Sequence, residues 1–143
     1  MTECALCEDL NERSPTFATR FMHWTLLVNY MQPTLGSSLV VLNRHVSRLS
    51  DVRLYEMVDY WNITQFLEEA LTKSFNPERI NHLMLANAVN HVHYHVVPQY
   101  QEPRWFGGMT FTNKKFGHIP ILTKSRLDSK ILDTIGEKIL ENL

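Results

Sequence analysis

Two rhythms of apolar and polar positions run along this chain. The stretches MHWTLLV (22–28) and SLVVLN (38–43) are short and rich in branched and aromatic residues, which predicts strands. Between them, NYMQPTLGS carries Pro33 and Gly36 and marks a turn, so the two strands form a hairpin or its near equivalent. From Leu54 the apolar residues Leu54, Met57, Val58, Trp61, Phe66, Leu67, Ala70 and Leu71 recur mostly at steps of three or four, the period of a helix. Ser50 or Asp51 is placed to cap that helix, and Asn76-Pro77 to stop it. INHLMLA (80–86) and NHVHYHVVP (90–98) return to strand character. A last helix is expected from Asp128, with Ile131, Leu132, Ile135, Ile139 and Leu140 on one side, although Gly136 weakens it by about 1 kcal/mol relative to Ala. The order strand, strand, helix, strand, strand, loop, helix predicts an α+β fold. An antiparallel sheet is covered by helices, with a long helix after the second strand and a C-terminal helix. No repeat, low-complexity stretch or linker divides the chain, so residues 1–143 are expected to form one domain.

A chain of 143 residues can bury about two-thirds of the surface its unfolded form exposes. A net charge of −1 argues against a protein that holds nucleic-acid polymers by bulk positive charge, so any attraction for anions is local. The opening MTECALCEDLNERS has neither a basic nor an apolar leader region, and no 18-residue apolar run occurs, so neither secretion nor membrane insertion is expected. Only Cys4 and Cys7 are present, which excludes a disulfide framework and makes the reducing cytoplasm the expected compartment.

The chemistry concentrates in NHVHYHVVP. On a strand, successive side chains alternate faces, so His91, His93 and His95 share one face while Val92, Tyr94 and Val96 share the other. Neighbouring histidines of such a row stand about 7 Å apart at the backbone. Three uses remain open on the residues alone: a metal site, a nucleophilic imidazole, or a polar strand face.

HVHYHVV, residues 91–97, resembles the His-apolar-His-apolar-His-apolar-apolar signature of the histidine triad superfamily of nucleotide hydrolases and transferases. LLVNYMQPTLGSSLVVLNRHVSRLSDV (26–52) is similar to the same family's strand, Asn, Pro/Gly turn, second strand and basic-His element. The resemblance covers most of residues 4–98, and residues 103–143 are supported only weakly. It implies that His93 is a nucleophile that takes up the α-phosphoryl group of a nucleotide as a transient nucleotidyl-histidine. His95 then donates a hydrogen bond to a phosphate oxygen or a proton to the leaving group. It also implies a homodimer.

The cysteines of CALC have acidic neighbours, Glu3, Glu8 and Asp9, which disfavours a redox-active thiolate unless a cation compensates. In zinc-bearing branches of the superfamily, an N-terminal CxxC is completed by the His of the basic-His element and the first triad His. The corresponding set here is Cys4, Cys7, His45 and His91, a closed structural site. Two ordinary free thiols remain the alternative.

Asn29 matches the family's ribose-contacting Asn. Ser37 stands where many relatives have a His, Asn87 lies near the position of a phosphate-touching amide, and Val89-Asn90 takes the place of the usual Gly-Gln pair, with Asn90 as the replacement amide. Residues 103–127 carry Arg104, Lys114, Lys115, Lys124 and Arg126 with Trp105, Phe106, Phe111 and Phe116 and no acid. Such a segment either holds a polyphosphate and stacks a second base or is a solvated basic loop whose aromatics pack. His23, His82 and His118 are assigned no role. The expected function is hydrolysis at the α-phosphorus of a dinucleoside polyphosphate, such as a diadenosine polyphosphate, or of a nucleoside phosphoramidate. The alternatives are a nucleotidyl transferase or phosphorylase of the same fold, a non-catalytic nucleotide-binding adaptor with a structural metal, and a catalytic metalloprotein.

Overall fold

The computed structural model describes residues 3–143. In chain order the elements are α1 (Ala5–Asp9), β1 (Phe17–Arg20), β2 (Trp24–Val28), β3 (Ser38–Leu42), α2 (Leu54–Phe75), β4 (Arg79–Met84), β5 (His93–Gln99), β6 (Arg104–Phe106), β7 (Met109–Phe111) and α3 (Ser129–Asn142). Five strands form one antiparallel sheet in the order β1-β2-β3-β5-β4. The fold is the α+β arrangement that the pattern predicts, with one strand more. FATR at β1 has no clean apolar alternation, yet it adds an edge to β2, so α2 follows the third strand. The segment expected as a loop holds the β6–β7 hairpin, whose turn residues Gly107 and Gly108 both have positive φ, 58° and 80°, the requirement of a tight two-residue hairpin turn.

Alternation along the strands divides the sheet into two faces. Trp24, Leu26, Val28, Val40, Leu42 and Val96 are buried in the core with Leu67 and Leu71 of α2 and Ile135 and Ile139 of α3. Each such Leu or Ile contributes about 1.5–3 kcal/mol through burial. Leu27 and Val41 point the other way and receive Leu6 of α1. The histidines of β5 share that second, less covered face.

Two helix details differ from the sequence expectation. Neither Ser50 nor Asp51 caps α2: they belong to a separate 3-10 turn, Leu49–Asp51, and the helix starts at Leu54. There the Glu56 carboxylate accepts the Arg53 backbone N–H at 2.8 Å and binds the Arg44 guanidinium at 3.0 and 2.9 Å. The core-facing side of α2 is Glu56, Tyr60, Ile63, Leu67, Ala70, Leu71 and Phe75, whereas Leu54, Val58, Trp61 and Phe66 are exposed. In α3, Asp128 accepts the Ile131 N–H as N-cap, and Leu140 is exposed rather than buried with the other expected apolar residues. Gly136, unfavourable by propensity, has a packing reason: a Cβ there would lie 3.3 Å from Val28 Cγ2, so its absence lets α3 sit close on β2.

Candidate functional site

β5 is held between β3 and β4, with His93 opposite Val41 and His95 opposite Leu39 and Leu83. Its other face is anchored by Tyr94, which stacks on Tyr60 at 4.1 Å between ring centroids and tilts against Trp24 at 5.9 Å. The strand begins at His93, so His91 lies just before the ladder and its ring turns toward the N-terminus of the chain.

The His93 tautomer follows from one contact. Nδ1 stands 2.6 Å from the His91 carbonyl, which can only accept, so Nδ1 carries the hydrogen and Nε2 keeps its lone pair. Burial holds the His93 pKa below the ordinary 6.5, against the opposing effect of that hydrogen bond. His95 lies beside it, with ring centroids 5.1 Å apart. Burial, then the charge His93 can carry, lowers His95 to about 4. Its Nδ1 is buried without a hydrogen-bond partner among the described residues. Both rings are therefore neutral at neutral pH, and one presents an unprotonated nitrogen. This pair can act as a nucleophile and a hydrogen-bond donor.

The four expected metal ligands come together from three parts of the chain. One donor atom from each of Cys4, Cys7, His45 and His91 lies within 4.8 Å of all the others. His45 Nδ1 and His91 Nδ1 are 3.2 Å apart, and the sulfur-to-nitrogen contacts are 3.3–3.4 Å. Tetrahedral zinc with ordinary bond lengths spaces two nitrogens by about 3.3 Å and a nitrogen and a sulfur by about 3.5 Å. His91 Nε2 donates to the Leu42 carbonyl at 2.7 Å, which leaves Nδ1 bare toward the cluster, the outer-shell bond that metal-bound histidines commonly make. Desolvation at the cluster pushes the Cys7 thiol up to about 11, with the hydrogen bond and charge of Cys4 adding to it, although much of the residue is exposed. Converging lone pairs and a Cys7 thiol that resists ionising without a cation could hold a metal in a closed site. The Arg44–Glu56 pair fixes the segment that presents His45. Neither it nor the Leu42 carbonyl carries a sequence signal for this role.

The other expected contacts are dispersed. Asn29 is 4% exposed and its side-chain oxygen accepts the Met31 N–H, while the Ser37 hydroxyl is turned into Thr34. Asn87 and Asn90 are exposed in the segment leading to His91. Within the basic segment, Arg104 binds the Phe75 and Asn76 carbonyls at the end of α2, and Arg126 lies 3.9 Å over the Tyr30 ring. Phe106 packs on Phe75, Phe111 is buried and Phe116 faces Arg79, whereas Trp105 is exposed. The arginines and most of the aromatics of the segment therefore pack against the fold, while Lys114, Lys115 and Lys124 form no salt bridge among the described residues.

A HIT domain profile matches residues 19–102. No curated protein sequence matches the chain. Among solved structures, a hypothetical histidine triad nucleotide-binding protein from Sulfolobus tokodaii superposes with a TM-score of 0.75 at 12% identity, over 97% of this chain and 91% of that one. A Hit-like protein involved in cell-cycle regulation from Bartonella henselae gives 0.71 at 17% identity, over 96% and 92%. A zinc-bound histidine triad family protein from Mycobacterium smegmatis gives 0.69 at 14% identity, over 97% and 94%. At these identities the structural likeness establishes the fold.

Proposed function

Because the chain belongs to the HIT domain family, we propose that it is a nucleotide hydrolase in which His93 attacks an α-phosphorus. The observation that carries this reading is the His93 Nδ1–H bond to the His91 carbonyl, which supports a bare Nε2 on a rigid strand. In the first step an Nε2–P bond forms and the bridging P–O bond breaks, with the electron pair leaving on the departing polyphosphate. Water then attacks the nucleotidyl-histidine, the N–P bond breaks, and the nucleoside monophosphate is released.

His95, neutral and with its Nδ1 buried, is suited to donate a hydrogen bond from Nε2 to a phosphate oxygen. A neutral imidazole is a poor proton donor. That favours an already stable anionic leaving group, and so a dinucleoside polyphosphate over a phosphoramidate, whose nitrogen must be protonated to leave. Asn29, Ser37, Asn87 and Asn90 are the proposed nucleotide neighbours.

Cys4, Cys7, His45 and His91 would hold zinc. Zinc bound there supplies a structural brace, since four protein ligands leave no open position. Leu54, Val58 and Trp61, exposed at steps of four and three on α2, form an apolar stripe that supports the homodimer.

The test is turnover of a labelled dinucleoside polyphosphate by wild type and by His93→Ala, with the quenched reaction searched for nucleotidylated residues. Expected are turnover and a nucleotidyl group on His93 in wild type, and neither in the variant. Binding without turnover in either protein would establish the adaptor instead.

A further inference from the structure

Gln99, at the far end of β5 from His93, is 1% exposed, and neither polar atom of its carboxamide has a hydrogen-bond partner among the described residues. Buried polar groups are ordinarily paired, because a lost partner leaves the cost of desolvation uncompensated. Gln99 lines a cavity of about 220 Å³, which none of His93, His95 or the four cluster residues touches. Four residues along the strand separate Gln99 from His95, about 13 Å. The cavity is therefore a second place, apart from the triad.

Its walls have a definite chemistry. Pro120 and Ile121 offer apolar surface, and Lys114, Lys115 and Lys124 bring three ammonium groups that form no salt bridge among the described residues. A free carboxamide presents a donor and an acceptor side by side. Adenine offers the complementary pair at N6 and N7, the edge that Gln reads with two hydrogen bonds. Its flat faces suit apolar walls, and phosphates suit the lysines. A water molecule in the cavity would satisfy part of the amide but would give the three lysines no reason to gather.

We infer that this cavity is an adenine-nucleotide subsite, with the Gln99 carboxamide on the base edge and Lys114, Lys115 and Lys124 on the phosphates. Each polar atom of Gln99 exposes less than 1 Å², and the 112–124 segment provides most of the wall, so contact between the base and the carboxamide requires this segment to shift. The subsite does not depend on the hydrolase reading and is tested without turnover.

The experiment is a titration of the full isotope-labelled chain with adenosine monophosphate, following the side-chain amide signals of Gln99 by NMR. Those signals move and saturate in wild type and in His93→Ala alike. The surface variant Lys114→Ala/Lys115→Ala/Lys124→Ala weakens that binding roughly tenfold, and a purine nucleotide lacking the 6-amino group binds roughly tenfold more weakly. Three results would overturn the assignment: amide signals that stay fixed into the millimolar range, meaning that the cavity holds only water; a response lost in His93→Ala, which would report the triad instead; or equal affinity for the nucleotide without the amino group.

Discussion

Replacing both sulfur ligands, Cys4→Ser with Cys7→Ser, tests the metal cluster with little change in shape. The cluster ties the N-terminus to distant chain: Cys4 meets His91 across 87 positions and Cys7 meets His45 across 38. In the chain-entropy description of cross-links, closing a loop of that larger size restricts the unfolded chain by about 4–5 kcal/mol. Metal clips share the sense of that effect, so the figure gives the order of magnitude of what the double variant loses. α1 does not detach altogether, because Leu6 remains buried against Leu27 and Val41, an apolar contact of about 2 kcal/mol. For a chain of this size each kcal/mol moves the unfolding midpoint by about 2–4 °C, so the double variant should melt on the order of 10 °C below wild type.

The assay pairs elemental analysis with thermal unfolding, each protein measured with and without a strong chelator. Wild type should contain about one zinc per chain and the variant none. Chelator should bring the wild-type midpoint down to that of the variant and leave the variant where it was. The reasoning fails if purified wild type carries no zinc, if both proteins melt at the same temperature, or if chelator shifts them equally.

Two further outcomes follow from the site and the surface. Burial keeps His93 below 6.5 and His95 at about 4; with the neutral rings as the working forms of the proposed reaction, lowered pKa values extend activity toward acid. Thus kcat/KM for a dinucleoside polyphosphate should stay level from neutrality through pH 6.5 and fall only below it, and a loss centred at or above 6.5 would contradict the assignment. On α2, Trp61→Glu places a charge in the exposed stripe; light scattering should show a dimer for wild type and a monomer for the variant, and an unchanged mass would exclude that stripe as the interface.

The strands β2 and β3 were legible because they are short runs of branched and aromatic residues on either side of a Pro/Gly turn, the composition of strands buried along their length, and β5 because its histidines alternate with apolar residues. β1 was not, because an edge strand of four partly exposed residues needs little hydrophobic pattern when backbone pairing to β2 holds it. On α2 the helical period was readable, but periodicity does not say which apolar stripe meets the core. Tyr60 and Ile63 take that place, while Leu54, Val58 and Trp61 face outward. The triad and the four donors could be named from residue type and resemblance. The Leu42 carbonyl, which fixes the His91 ring, could not, because a main-chain acceptor leaves no mark in the choice of side chain. Gln99 likewise looks like an ordinary strand residue until its burial and its missing partners are seen together.

His91 joins the two halves of the site through different atoms. Its ring nitrogen Nδ1 belongs to the donor cluster, and Nε2 is fixed on Leu42 of β3. Its carbonyl oxygen accepts the hydrogen of His93 and so leaves the opposite nitrogen of that ring free. A displacement of the His91 backbone would therefore loosen the metal donors and release the His93 tautomer in the same movement. In the proposed reaction the cluster needs no contact with substrate to matter for the chemistry. It is enough that it holds the position of one peptide group, since the imidazole two residues on has no other described hydrogen bond to keep it in register.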